Sequence, residues 1–506
     1  MKTMFFRSAV VATSLGLFGL TPAFAAEGKK PQQPKYETQL MEESPFEAAD
    51  FEFIEYTEEE LGSIKKLKPA KRNPAGNVAN LMSPEFIGIR DRFLKVKTAD
   101  ELDQVLSDLN AKYDTLQAND SRLFAAQAVT LIPFRGVVWR LIPVAQKAKI
   151  THSAVLTMVK QISTGIGIFL PTQQWQAAFD YVSLPYARGG AVSTQLENEA
   201  QVQSFFSGPV MKSILQARNR VAKIDLKGKD VVWDNQLLYG PASFQDDLDR
   251  YRLVGEVERW VVLANLHSTV AQLAFARAYS AEGSSDVMEN IGRLYGIDGW
   301  FSGVEGAPAR DRVKVMRSGK FAKWGTLVPD GAQWTKASLS NLRASSEIMA
   351  SVWNQIQRRP MGDSWSIDPT FFQSRDIVRT GDMRVEDVVA MMKGPAKIRS
   401  AVTGETVTVN IPAFYENPPR DLKALLATGF NTEPEWKTMT FATAGKSVAL
   451  KARNYDSGSP AAWDLNQYRT FLPEVQNGND VKRAARVLSQ SWGGGSALAP
   501  MLVFMN

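Results

Sequence analysis

The sequence predicts a mainly α fold: a large multi-helix domain around a long central helix, then a small α+β C-terminal region containing two β-hairpins. Three observations carry that expectation. Residues 244–280 hold no proline and one glycine, Gly255, over a length of about ten helical turns. Several other segments repeat apolar residues at steps of three and four, the period of a helix. Two segments, 397–411 and 437–453, instead alternate about a turn, the period of paired strands.

Composition sets the outer bounds. The chain has 506 residues, 44% of them apolar, and a mean hydropathy of −0.20. That is enough apolar material for a sizeable core, and it is not the composition of an integral membrane protein. The formal charge of +6 is mild for this length and speaks against a nucleic-acid binder, which concentrates basic residues on one face. There is no cysteine, which excludes disulfides, a thiol nucleophile and a thiolate metal site. The only histidines are His152 and His267, so no metal site and no cofactor is expected.

The N-terminus carries the strongest functional signal. Lys2 and Arg7 precede the apolar run Ser8 to Leu20, and Ala23-Phe24-Ala25 follows as a small-x-small cleavage signature. These are the three parts of a Sec-type signal peptide in order, so residues 1–25 are expected to be removed on export, with the periplasm as destination or secretion beyond it. No transmembrane helix is expected after cleavage.

Residues 26–83 read as an extended or disordered leader. An acidic stretch, Glu37 to Glu60, carries Phe46, Phe51, Phe53, Ile54 and Tyr56 between its carboxylates; Lys65, Lys66, Lys68, Lys71 and Arg72 then reverse the sign. Charge blocks of this kind are solvated tails, whereas the interleaved aromatics suit docking on the chain's own core or on a partner.

The helical domain is expected over 84–394. From Thr98 to about Gln117, Leu102, Val105, Leu106 and Leu109 share one helical face. Leu131-Ile132-Pro133 and Leu141-Ile142-Pro143 predict short, kinked helices, because proline disfavours helix at the residue before it. Further helices are expected at 150–163, 195–206 and 210–224, the last two separated by Gly208-Pro209. The central helix, 244–280, opens on Asp246, Asp247 and Asp249, with Asp246 and Arg250 placed to pair. From Trp260 to Ala276 it has no formal charge and is apolar all round, as in a buried helix. Ala264, Ser268, Ala271 and Ala278 give it a small-residue face that lets a neighbour approach closely. Next come a helix at 287–295, a glycine-rich loop at 296–308, and helices at 339–358 and 384–393. The α+β region, 395–506, holds the two hairpins and a last helix at 481–489.

Few residues point to chemistry. Gly445-Lys446-Ser447 lacks the first glycine of a phosphate-binding loop, Thr440 standing in its place, and lies in a strand pattern. Gly362-Asp363-Ser364 has no histidine downstream to serve as its base. Ser63-Ile64-Lys65-Lys66 fits Ser-x-x-Lys but has no companion motif. His267, on an apolar helix, reads as a satisfied core residue. The candidates for a site are Asp298 and Glu305 as a catalytic carboxylate pair, with Tyr295, Trp300 and Phe301 as ligand-binding aromatics. Five of the twelve tryptophans, Trp300, Trp324, Trp334, Trp353 and Trp365, fall within 66 residues there. Rings beside two carboxylates suit a sugar chain and its hydrolysis, while the same rings also suit a core.

The leading expectation is an exported, non-enzymatic helical protein that binds another envelope protein or acts as an envelope scaffold. A glycan-binding or glycan-cleaving enzyme acting on the cell wall, and a protein acting on membrane surfaces through its apolar helices at 120–180, are the alternatives.

Overall fold

The computed structural model describes residues 56–66, 78–148, 175–188, 191–192, 194–241, 250–299, 309–359, 366–367, 385–400, 403–431, 436–443, 446–453 and 460–491. The fold is mainly α with small two-stranded antiparallel sheets. One contiguous set of buried apolar side chains runs from Ile64 near the N-terminus to Leu488 near the C-terminus.

Two helices form its frame: the central helix Glu256–Ala278 and the long helix Gly331–Gln357. They run antiparallel, joined at three points spaced seven residues apart on each. Ser345 Oγ donates to the Ala264 carbonyl at 2.8 Å, and Ser338 Oγ donates to the Ala271 carbonyl at 2.7 Å. At the third point a Cβ on Gly331 would lie 2.5 Å from the Ala278 carbonyl oxygen, so only glycine fits. Seven residues are two helical turns, so both small-residue stripes stay in register along the contact. The serine hydroxyls are satisfied by carbonyls of the opposing helix, and small residues at these three points let the backbones approach closely.

The central helix begins later than its composition suggests. Tyr251–Val254 is a strand, paired antiparallel with Val231–Asp234, and the helix starts after Gly255. Arg250 pairs with buried Asp234 at 2.9 Å, with Arg90 approaching the same carboxylate at 3.9 Å. Asp246, Asp247 and Asp249 lie outside the described residues.

Other expectations are met or corrected. Ala99–Ala111 is helical, with a capping box at Thr98 and Glu101, and buries Leu102, Val105, Leu106 and Leu109. Val129–Phe134 is a 3₁₀ turn containing Pro133, and Val137–Lys147 follows at a bend of 43°. At that bend Gly136 adopts φ +64° and donates its N–H to the Tyr181 carbonyl at 2.7 Å, a conformation and a closeness that favour glycine. Gly208-Pro209 does not separate two helices. Glu199–Phe205 and Met211–Ala222 are joined through a π turn, Phe206–Val210. The wider turn accommodates a proline that has no N–H to give and clashes with the ordinary turn. The long helix starts at Gly331, eight residues before Leu339, since the close contact with Ala278 needs that extra length.

The leader is not uniformly extended. Glu58–Lys65 is a helix with a full capping box between Thr57 and Glu60, and its Ile64 is wholly buried. It packs on the long helix, where Gln355 Nε2 donates to the Lys65 carbonyl at 2.9 Å. In the C-terminal region both hairpins are present, Ala396–Arg399 with Thr406–Val409 and Trp436–Thr443 with Lys446–Arg453. The last helix spans Gly478–Ser491. Among the described residues, no single helix is long and apolar enough to cross a membrane.

Candidate functional site

Most of the buried polar chemistry gathers along the N-terminal half of the central helix. Glu256 and Glu258 stand in its first turn, where the exposed backbone N–H groups favour carboxylates. Both are buried, and each holds one arginine. Glu256 accepts from Arg259 Nε at 2.9 Å and from Arg259 Nη2, and takes the Leu226 N–H at 3.0 Å as well. Glu258 receives both terminal nitrogens of Arg359, Nη2 at 3.0 Å, and caps the helix by accepting the Gly255 N–H at 3.0 Å. Arg359 also donates to the Ile367 carbonyl at 2.7 Å, and Arg259 to the Val221 carbonyl at 3.3 Å. Two bidentate pairs thus tie the strand-to-helix turn, the long helix end and the 221–226 turn into one unit.

Two turns on, Tyr56 reaches in from the leader and stacks edge-on against both Trp260 and His267, with ring centres 5.5 and 5.6 Å apart. Its hydroxyl lies 2.9 Å from His267 Nε2, and His267 Nδ1 lies 2.8 Å from Asn341 Oδ1. The protonation pattern follows from the partners. Asn341 Nδ2 donates to the Ala337 carbonyl at 2.9 Å, and Arg218 Nη1 donates to Asn341 Oδ1 at 3.3 Å, so Oδ1 is an acceptor. Nδ1 of His267 therefore carries the hydrogen, and Nε2 accepts from the Tyr56 hydroxyl.

A tyrosine hydroxyl on an imidazole resembles an acid–base pair, but the energies prevent transfer. Burial, then the Arg218 charge, pushes His267 from 6.5 down to about 3. Burial pushes Tyr56 up to about 12, with Arg218 and Arg259 opposing the rise. Both shifts favour the neutral forms, so the proton stays on the phenol. The pair is a neutral core contact, in line with the reading of His267 from sequence.

That contact gives the fold a measurable pH dependence. His267 binds its proton less readily folded than unfolded, so between pH 6.5 and about 3 the unfolded chain holds more protons. Stability is then complete above pH 6.5 and falls on acidification, by roughly 1.4 kcal/mol per pH unit from this group. His267→Gln keeps a donor and an acceptor without titrating. Denaturant unfolding of both proteins between pH 7.5 and 4.5 should show the variant losing less; parallel losses would acquit the histidine.

The residues singled out from sequence are placed as follows. Tyr295 and Asp298 lie in the helix Ser284–Gly299, which runs through Gly296 where a loop was expected. Trp300, Phe301 and Glu305 lie outside the described residues, as do His152, Gly362-Asp363-Ser364, Trp365 and Gly445. Trp324 and Trp334 are buried, 3% and 0% exposed, and Trp334 Nε1 donates to Asp330 Oδ2 at 2.7 Å. Neither offers a face to a sugar ring. Ser63 donates its hydroxyl to the Glu60 carbonyl at 2.7 Å, and Lys446 and Ser447 lie in a strand. Among the described residues, no group of three or more histidine, cysteine or carboxylate side chains could hold a metal ion.

The carboxylate–arginine unit and the partner of Tyr56 were missed from sequence. Glu256 and Arg259 are three apart, a spacing that signals their pair. Tyr56 is marked as a docking residue by its place among the carboxylates of the leader, but nothing local names His267, 211 residues away, as its partner. Comparison of the chain with protein-family models, with curated proteins and with solved structures found no match in any of the three.

Proposed function

We propose that this chain is an exported, non-enzymatic helical protein of the cell envelope, working by binding a partner or as a scaffold. The observation that carries the reading is how the buried polar groups are used. His267, Glu256 and Glu258 are each buried and held by partners within the fold. Sequence adds the signal-peptide pattern at 1–25 and the aromatic-studded acidic leader, whose Tyr56 and Ile64 show how such residues dock on a helical surface. A partner would engage the leader upstream of Tyr56.

Two measurements test it together. Cell fractionation is expected to recover the chain outside the cytoplasm with its N-terminus near Ala26; a cytoplasmic chain beginning at Met1 overturns the export. Purified protein is expected to leave the muropeptide profile of cell-wall glycan unchanged. New cleavage products lost on Asp298→Asn or Glu305→Gln would replace the scaffold reading with a glycan hydrolase.

A further inference from the structure

We propose that residues 56–66 form a proton-linked latch: seated, the tyrosine closes over His267; released, it opens the imidazole to water, where a bound proton holds the segment off. This goes beyond the proposed function and needs no partner.

Among the described residues, the segment is held by the Tyr56 hydroxyl on His267 Nε2, the Tyr56 ring against Trp260 and His267, Leu61 packed on the apolar core, the Gln355 amide on the Lys65 carbonyl, and Ile64, the one fully buried side chain of its helix. A small element with few buried apolar contacts opens at lower free energy than the whole fold. The seated state also carries a cost. Trp260 Nε1 is buried without a hydrogen-bond partner beside the Tyr56 ring, and water reaches it on release.

The charges around the pair decide which form takes the proton. On the core side, Arg218 from the helix Met211–Ala222 and Arg259 from the central helix both act on it, and Asn341 from the long helix is neutral. Glu60, from the segment itself, acts on Tyr56. A proton on the seated imidazole would therefore be buried beside guanidinium groups. On the released imidazole it is hydrated and screened, so protons favour release. By linkage, the ratio of released to seated forms rises about tenfold for each pH unit below the ordinary histidine value.

Hydrogen exchange on the purified protein tests the latch, read at the amides of Leu61 and Lys66, which bond to the Thr57 and Gly62 carbonyls. After correction for intrinsic exchange, the opening constant is expected to rise roughly thirtyfold from pH 7.5 to pH 5.0. The amides of 260–275 in the central helix should keep their protection. His267→Gln should remove the rise, and Tyr56→Phe should raise opening about tenfold at every pH while keeping the slope. An unchanged wild-type opening constant overturns the proposal. So does a rise that 260–275 shares equally, because the whole fold would then be titrating. A rise retained in His267→Gln overturns it as well.

Discussion

Arg359→Ala is expected to destabilise the protein by about 3–5 kcal/mol, among the largest effects of any single substitution outside the apolar core. The carboxylate it leaves, Glu258, is 2% exposed and lies at the junction of the strand, the central helix and the long helix. Without the guanidinium it keeps, among the described residues, only the Gly255 N–H, so it must either stay charged in a dry site or take up a proton. The pair itself contributes less than its loss costs, because two charges were desolvated to make it. The double substitution Glu258→Leu with Arg359→Met should therefore be milder than Arg359→Ala alone. Denaturant unfolding of Glu258→Leu, Arg359→Met and the double supplies the cycle. A cost below about 1 kcal/mol for Arg359→Ala would mean the pair behaves as a solvated surface bridge.

Removing the leader is expected to have two separate outcomes, divided at Tyr56. Deletion of 26–54 keeps the contacts that Tyr56, Ile64 and Lys65 make with the core, and its unfolding midpoint is the reference. Deletion of 26–66 should lower it, because Ile64, the tyrosine slot and the Gln355 contact are lost together. Ile64→Ala estimates the apolar part at about 2–5 kcal/mol, limited by the free energy with which the segment is seated. Once that limit is passed, the segment lifts off and further damage to it costs nothing. Thermal unfolding of the two deletions checks this; equal midpoints would show that residues 55–66 add no stability.

How much was legible follows from where each signal lies along the chain. The helix Ala99–Ala111 was readable to its four buried residues, because its capping box and its apolar period are both local. The hairpins were readable because each pairs with its own sequence neighbour. The small-residue stripe announced a close neighbour but not which one; Gly331, Ser338 and Ser345 repeat the same seven-residue step some 70 residues later. The start of the central helix was misread because Tyr251–Val254 satisfies its hydrogen bonds on Val231–Asp234, a pairing that composition cannot show. Gly296 and Gly208-Pro209 were read as breaks, and the surrounding structure carries the helix through both.

The sequence by itself determined the helical class, the two hairpins and a largely buried central helix, since periodicity and charge are properties of neighbouring residues; the structure leaves one stripe of that helix, Val262, Asn265, Ser268, Gln272 and Ala276, partly exposed. Only the tertiary structure decided what the polar residues of that helix do. Asn341 reaches His267 across 74 positions, Arg359 reaches Glu258 across 101, and Tyr56 reaches His267 across 211. A buried polar group must find a partner somewhere, and folding alone sets which distant residue arrives.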